Sequence, residues 1–182
     1  LTTRSNQIQR DWATPMTDLR WVAVHEAGHG VARLRLFPDQ YLEHISIERE
    51  EDSLGRVRLS FDTTVVPKST SDQEAEDVFL SDAICACAGY AACIIAGFSR
   101  EQALTGCEAD FERAGHRKEH ACELALELLG RDSNVRAVRL IADKLLELTT
   151  VDHDHIGVLI EIADGECSEQ EYREYLNLRA IG

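Results

Sequence analysis

The segment His25–His29 reads His-Glu-Ala-Gly-His and carries the residue types that bind and use a metal ion. Residues four apart share one face of a helix, so His25 and His29 can bind one ion together. Glu26 projects about 100° away, where its carboxylate can take a proton from a metal-bound water. Zn²⁺ suits two imidazoles, and a catalytic zinc usually takes a third protein ligand and keeps one position for water. The segment predicts a hydrolytic zinc site.

A third ligand is expected from the segment after Gly106, which is interpreted as one helix from Glu108 to Leu129 closed by Gly130. The side chains there that can bind a metal are Glu108, Asp110, Glu112, His116 and His120. At about 100° per residue, Asp110 falls within the apolar stripe of that helix, whereas Glu112 falls on the opposite, acidic face. A carboxylate buried in an apolar stripe is costly unless a metal neutralises it. Asp110 is the predicted third ligand.

The histidines of the same helix form a rival motif. Residues 116–120 read His-Arg-Lys-Glu-His, which matches the H-x-x-E-H pattern of inverted zincins. His116 and His120 fall on the charged side of the predicted helix, together with Glu123 and Glu127. We therefore expect these two histidines on a solvated surface rather than at a metal.

The overall composition bounds the class of protein. The chain has 182 residues, enough for one domain with a sizeable core, and 44% of them are apolar. Its formal net charge of −14 argues against nucleic acid or an anionic membrane surface as a partner. The 6 cysteines include no C-x-x-C pair, which favours the reduced thiols of a cytoplasmic protein over a disulfide framework.

Neither a signal peptide nor a membrane-spanning segment is predicted. The longest apolar stretch, residues 83–98, is too short to cross a bilayer and is interrupted by glycine. Residues 1–16 are polar and aperiodic, so we expect a flexible lead-in followed by a single domain over residues 17–182. The chain begins with Leu1 rather than Met, as a trimmed or excised piece of a longer protein would.

Hydrophobic periodicity and capping signals predict a mostly α fold (α+β) with one small β-sheet or hairpin. Alternation over residues 42–48 and 56–61 indicates two neighbouring strands. Helices are predicted over 18–36, 71–98, 99–106, 108–129, 132–148 and 152–162, and from 168 onward. Gly28 and Gly30 weaken the first helix, so they indicate close approach by another element or by substrate.

Three segments resemble the peptidase domain of FtsH-type, ATP-dependent membrane zinc metalloproteases. They are residues 24–30 (VHEAGHG), 88–92 (AGYAA) and 105–114 (TGCEADFERA), and their order and spacing match over about residues 17–165. The resemblance implies a helical zincin-like metallopeptidase domain. It also implies zinc ligands at His25, His29 and Asp110, with Glu26 as the general base.

The chain departs from that family at several positions. The family pattern Gly-Gly-Arg-Ala-Ala-Glu is replaced by Gly89–Cys93 (GYAAC), which lacks the Arg and the Glu. The family Asn before the zinc aspartate is replaced by Ala109, so hydrogen bonding around the ligands is expected to differ. The sequence also contains no G-x-x-x-x-G-K-[ST] phosphate loop.

The expected function is therefore a zinc-dependent endopeptidase that acts on peptides or unfolded proteins without ATP hydrolysis in this chain. The alternative is a zinc-stabilised binding or regulatory module related to the peptidases, with weak or no catalysis. By analogy with the family, the chain is compatible with self-association and with an ATPase partner supplied by another chain.

Overall fold

Two buried helices, α1 and α2, lie at the centre of the fold. The computed structural model describes residues 18–48, 56–59 and 71–181, so the expected lead-in at 1–16 lies outside the described residues. Its helices are α1 (Asp18–Leu36), α2 (Asp72–Ile95), α3 (Arg100–Leu104), α4 (Glu108–Ala114), a 3₁₀ turn (Gly115–Arg117), α5 (Lys118–Leu129), α6 (Asp132–Leu148), α7 (His153–Asp164) and α8 (Glu169–Ile181). Its strands are β1 (Leu42–Ser46), β2 (Arg56–Leu59) and β3 (Thr150–Asp152). The predicted mostly α fold with one small sheet is confirmed.

Glycines allow α1 to approach its neighbours closely. A Cβ on Gly28 would lie 2.5 Å from the Cβ of Ala92 and 2.7 Å from the carbonyl oxygen of Ala88, both on α2. A Cβ on Gly30 would collide with the side chain of Ile45 on β1. The close approach predicted from these glycines is therefore made by other elements of the fold.

Helix α2 begins at the predicted capping box and runs through the core. The Ser71 amide donates to the Glu74 carboxylate, and the Ser71 hydroxyl accepts from the Glu74 amide. Every residue from Asp82 to Gly89 is buried, because small side chains let neighbours pack on several sides. By length and composition α2 could also cross a membrane, although more than half of its apolar stretch is buried within the fold. The absence of a membrane-spanning segment stays a prediction.

The described strands form one antiparallel sheet in the order β2-β1-β3. The β1–β2 pair is the one predicted from alternation, with Ile45 opposite Val57. Strand β3 was not predicted, because three residues are too few to show a period. Val151 of β3 is buried opposite Ile45, and Asp152 then caps α7 by accepting from the amide of His155.

The single helix predicted over residues 108–129 is wrong. Helix α4 ends at Ala114, a 3₁₀ turn follows, and α5 begins at Lys118. Gly115 has a φ of 58°, a backbone conformation that favours glycine and interrupts a right-handed helix. A glycine inside a periodic pattern is also compatible with an unbroken helix, so the pattern did not reveal the break.

Candidate metal centre

The side chains of His25, His29 and Asp110 meet at one point between α1 and α4. The two Nε2 atoms of the histidines are 3.0 Å apart. Asp110 Oδ2 is 3.2 Å from Nε2 of His25 and 3.3 Å from Nε2 of His29. The three residues therefore form a cluster that could hold a metal ion.

The spacing of the three atoms fits a zinc ion. Ligands about 2.0–2.1 Å from a tetrahedral Zn²⁺ are separated from one another by about 3.3 Å. The observed separations of 3.0, 3.2 and 3.3 Å are close to that value. Two imidazole nitrogens and one carboxylate oxygen are also the donor set of many catalytic zinc sites, in which one position stays open.

Backbone contacts from α2 orient both histidines. Nδ1 of His29 lies 2.7 Å from the carbonyl oxygen of Cys85, which can only accept, so Nδ1 carries a hydrogen and Nε2 faces the cluster. A Cβ on Gly89 would lie 2.5–2.6 Å from three atoms of the His25 ring, so the ring packs directly on that backbone. The ring of Trp21, one turn earlier on α1, packs against His25 in a T-shaped arrangement.

The two histidines differ in how their outer nitrogens are satisfied. Nδ1 of His29 has the Cys85 carbonyl, whereas Nδ1 of His25 is buried and has no hydrogen-bond partner within the described part of the chain. A ligand histidine usually donates that hydrogen to a carboxylate, a carbonyl or a water. His25 is therefore held mainly by packing.

The metal-free cluster distributes its protons unevenly. Burial lowers the pKa of His29, but the hydrogen bond and negative charge of Asp110 outweigh it and raise the pKa to about 9. Burial lowers the pKa of His25, and Asp110 offsets this only in part. Burial opposes ionisation of Asp110, yet its hydrogen bonds to both histidines bring its pKa well below the ordinary value. At neutral pH His29 is thus a positively charged imidazolium and Asp110 a negatively charged carboxylate.

Glu26 lies on α1 next to His25 and is only 7% exposed. Burial raises its pKa to about 7, with His29 lowering it and Asp110 raising it to smaller degrees. A carboxylate whose pKa lies near neutral can both accept and return a proton at that pH. The position and the pKa of Glu26 suit a general base.

The other side chains that could bind a metal do not belong to the cluster. Glu108, Glu112, His116 and His120 are exposed. His120 lies 3.9 Å from the carboxylate of Glu123, as expected for a solvated, charged face. Cys107 is buried, and its thiol donates to the carbonyl oxygen of Ala103 at 3.1 Å.

Three parts of the site were missed or reached by a wrong route. The role of the Cys85 carbonyl has no signal in the sequence, since every residue has a carbonyl. Gly89 does have one, because a glycine inside a helical pattern indicates close packing. Asp110 was selected by assuming an unbroken helix to Leu129, but the phase does not continue past Gly115. Within α4, Asp110 and the buried Ala114 do share one face.

Comparison of the chain with models of known protein families and with curated proteins finds no match. The resemblance to FtsH-type peptidases therefore stays a prediction that rests on the three motif segments and their spacing.

Proposed function

We propose that this protein is a zinc-dependent endopeptidase related to the FtsH-type peptidase domain. The observation that carries the proposal is the meeting of His25, His29 and Asp110 at 3.0–3.3 Å with Glu26 buried at the adjacent position of α1. Two histidines four residues apart and one carboxylate from another helix are the ligand set expected of a hydrolytic zinc site.

The chain supplies binding, orientation and proton transfer. A bound zinc ion would polarise the peptide carbonyl and acidify the attacking water. His25, His29 and Asp110 would hold the ion, with the Cys85 carbonyl and the Gly89 backbone orienting the two rings. Glu26 would take the proton of the attacking water and pass it to the leaving amine.

Extended peptides and unfolded proteins are the proposed substrates. The sequence contains no phosphate-binding loop with which to unfold a folded substrate by ATP hydrolysis. Strand β2 is at the edge of the described sheet, where an extended chain can add by backbone pairing. An ATPase acting from another chain, self-association and a cytoplasmic location stay predictions.

Cleavage of an unfolded protein by the zinc-loaded chain, followed by mass spectrometry, tests the proposal. Glu26→Gln should remove cleavage while zinc still binds, because Glu26 is not a ligand. The control is Glu119→Gln, which makes the same charge change at an exposed position on α5 and should cleave like wild type. Cleavage by the Glu26→Gln variant at the wild-type rate would refute the assignment.

Two observations favour a zinc-stabilised binding module instead. Nδ1 of His25 lacks a hydrogen-bond partner among the described residues, and Ala109 stands where the family has Asn. Weaker support of a ligand lowers metal affinity and activity. Asp110→Ala separates the two functions: unfolding together with loss of zinc would favour a structural metal, whereas a folded, zinc-free and inactive variant would favour the peptidase.

A further inference from the structure

A partly buried ion-pair cluster connects the three helices that build the metal centre. Asp82 of α2 accepts from Nη2 of Arg33 on α1 at 2.9 Å. Arg113 of α4 binds the same carboxylate through two nitrogens, at 2.9 and 2.6 Å. Arg33 and Asp82 are buried, and Arg113 is about half exposed. A two-point arginine–carboxylate pair holds both distance and orientation.

Helix α4, which carries Asp110, depends on such a connection. It has only seven residues and lies between Gly106 and Gly115, whose φ values of 76° and 58° separate it from the helices on either side. Its main contacts are with α2, although the histidines it meets are on α1. The position of Asp110 relative to the histidines is therefore transmitted through α2.

The cluster lies close in sequence to every part of the metal centre. Arg33 is one helical turn after His29 on α1, and Arg113 is three residues after Asp110 on α4. Asp82 is three residues before Cys85, whose carbonyl orients His29. A single carboxylate thus connects the helix of the histidines, the helix of the aspartate and the backbone that orients one ring.

We propose that Asp82 and Arg113 are positioning residues for the metal centre. Asp82 holds Arg113, and Arg113 holds α4 so that Asp110 reaches both histidines. Neither residue is among the three whose side chains could hold the ion, so the effect on the metal acts through the placement of Asp110. This inference rests on the proposed zinc site and concerns how that site is assembled.

Arg113→Gln is the informative variant because it breaks the connection to α4 while leaving the buried Arg33–Asp82 pair intact. The zinc dissociation constant is measured by competition with a chromogenic chelator, and the unfolding temperature of the metal-free protein is measured separately. Arg113→Gln should weaken zinc binding by about 10- to 100-fold, the range for supporting residues of metal sites. Arg113→Lys keeps the charge but loses the two-point geometry and should restore only part of the affinity.

Arg35→Gln is the matched control. Arg35 on α1 also binds two other helices, through Asn134 of α6 at 2.9 Å and Asp164 of α7 at 2.5 Å, but it is not part of the Asp82 cluster. Both variants remove one positive charge, which by Coulomb's law alone would tighten binding of a cation. Weaker zinc binding in Arg113→Gln alone therefore reports the placement of Asp110.

Each outcome decides between the two proposals. Wild-type affinity in the Arg113→Gln variant, even with a lowered unfolding temperature, would overturn the positioning role and leave the zinc site in place. Equal weakening in Arg113→Gln and Arg35→Gln would also overturn it. Failure of the wild-type protein to bind zinc would overturn the metal site and the proposed function.

Discussion

His25 and Gly89 are in direct contact, since a Cβ on Gly89 would lie 2.5–2.6 Å from three atoms of the His25 ring. Gly89 lies inside the long helix α2, where glycine costs helix stability. The contact leaves the ring no room on that side, while Trp21 packs against it as well. Packing thus positions the His25 ring, whose Nδ1 has no hydrogen-bond partner among the described residues.

Gly89→Ala should therefore displace His25 and weaken zinc binding by about tenfold or more. Gly157→Ala is the control, because a Cβ on this glycine of α7 meets nothing within 4 Å. The control should raise the free energy of unfolding by about 0.5–1 kcal/mol. Chelator competition and thermal unfolding measure both variants, and unchanged zinc affinity in Gly89→Ala would contradict the packing argument.

The stability of the metal-free protein should fall between about pH 6.5 and 9, because folding raises the pKa of His29 to about 9. The stabilisation from this proton is fully present below the unfolded pKa of about 6.5 and is lost as the pH rises through 9. The fall is measured as the unfolding temperature of the metal-free protein. His29→Gln should flatten this part of the profile; an equally steep fall in that variant would assign the effect to other groups.

Zinc affinity should rise over the same pH range. Binding displaces the proton of His29, and each displaced proton makes the affinity change by about tenfold per pH unit. Chelator competition at several pH values measures the slope. Calorimetry in buffers of different ionisation enthalpy counts the released proton independently, and a flat profile would show that His29 is not a ligand.

Glu26→Gln should stabilise the metal-free protein at and above neutral pH. Burial raises the pKa of Glu26 to about 7, so stability present below the ordinary pKa of about 4.5 is lost as the pH rises through 7. An uncharged amide removes this loss and should add about 1–3 kcal/mol to the free energy of unfolding at pH 8, with little change near pH 4.5. Denaturant unfolding at the two pH values measures this difference in the free energy of unfolding. A variant less stable than wild type at pH 8 would contradict the prediction that the ionised Glu26 carboxylate destabilises the fold.

The reactivity of the cysteine thiols tests the packing of the core. Burial raises the pKa of Cys85 and of Cys107 to about 12, so both should resist iodoacetamide in the folded protein. Cys122 and Cys167 are only partly buried and should be labelled first. Mass spectrometry with and without denaturant locates the labels. Zinc should not change the labelling of Cys107, since its thiol donates to the Ala103 carbonyl; protection by zinc would make it a ligand.

Much of the fold could be predicted from local patterns. The bounds of α1 and α6 and the start of α2 follow from periodicity and capping, because helices are specified by residues close in sequence. Helix α2 ends at Ile95, three residues before the predicted end at Phe98. Strand β3 and the break at Gly115 escaped prediction, since a three-residue strand exists only through its pairing with β1 and a glycine permits either a helix or a break.

Local sequence is enough to place the residue types of a metal site on one helix: His25 and His29 share a face, and Glu26 lies beside them. Only the packing of the helices brings Asp110 to the two histidines, because α4 is positioned through α2 and not through a continuous apolar stripe. It also decided the raised pKa values of Glu26 and His29. Burial raises the pKa of Glu26. Burial lowers the pKa of His29, but Asp110, 81 residues further along the chain, outweighs that effect, and no local pattern encodes such contacts.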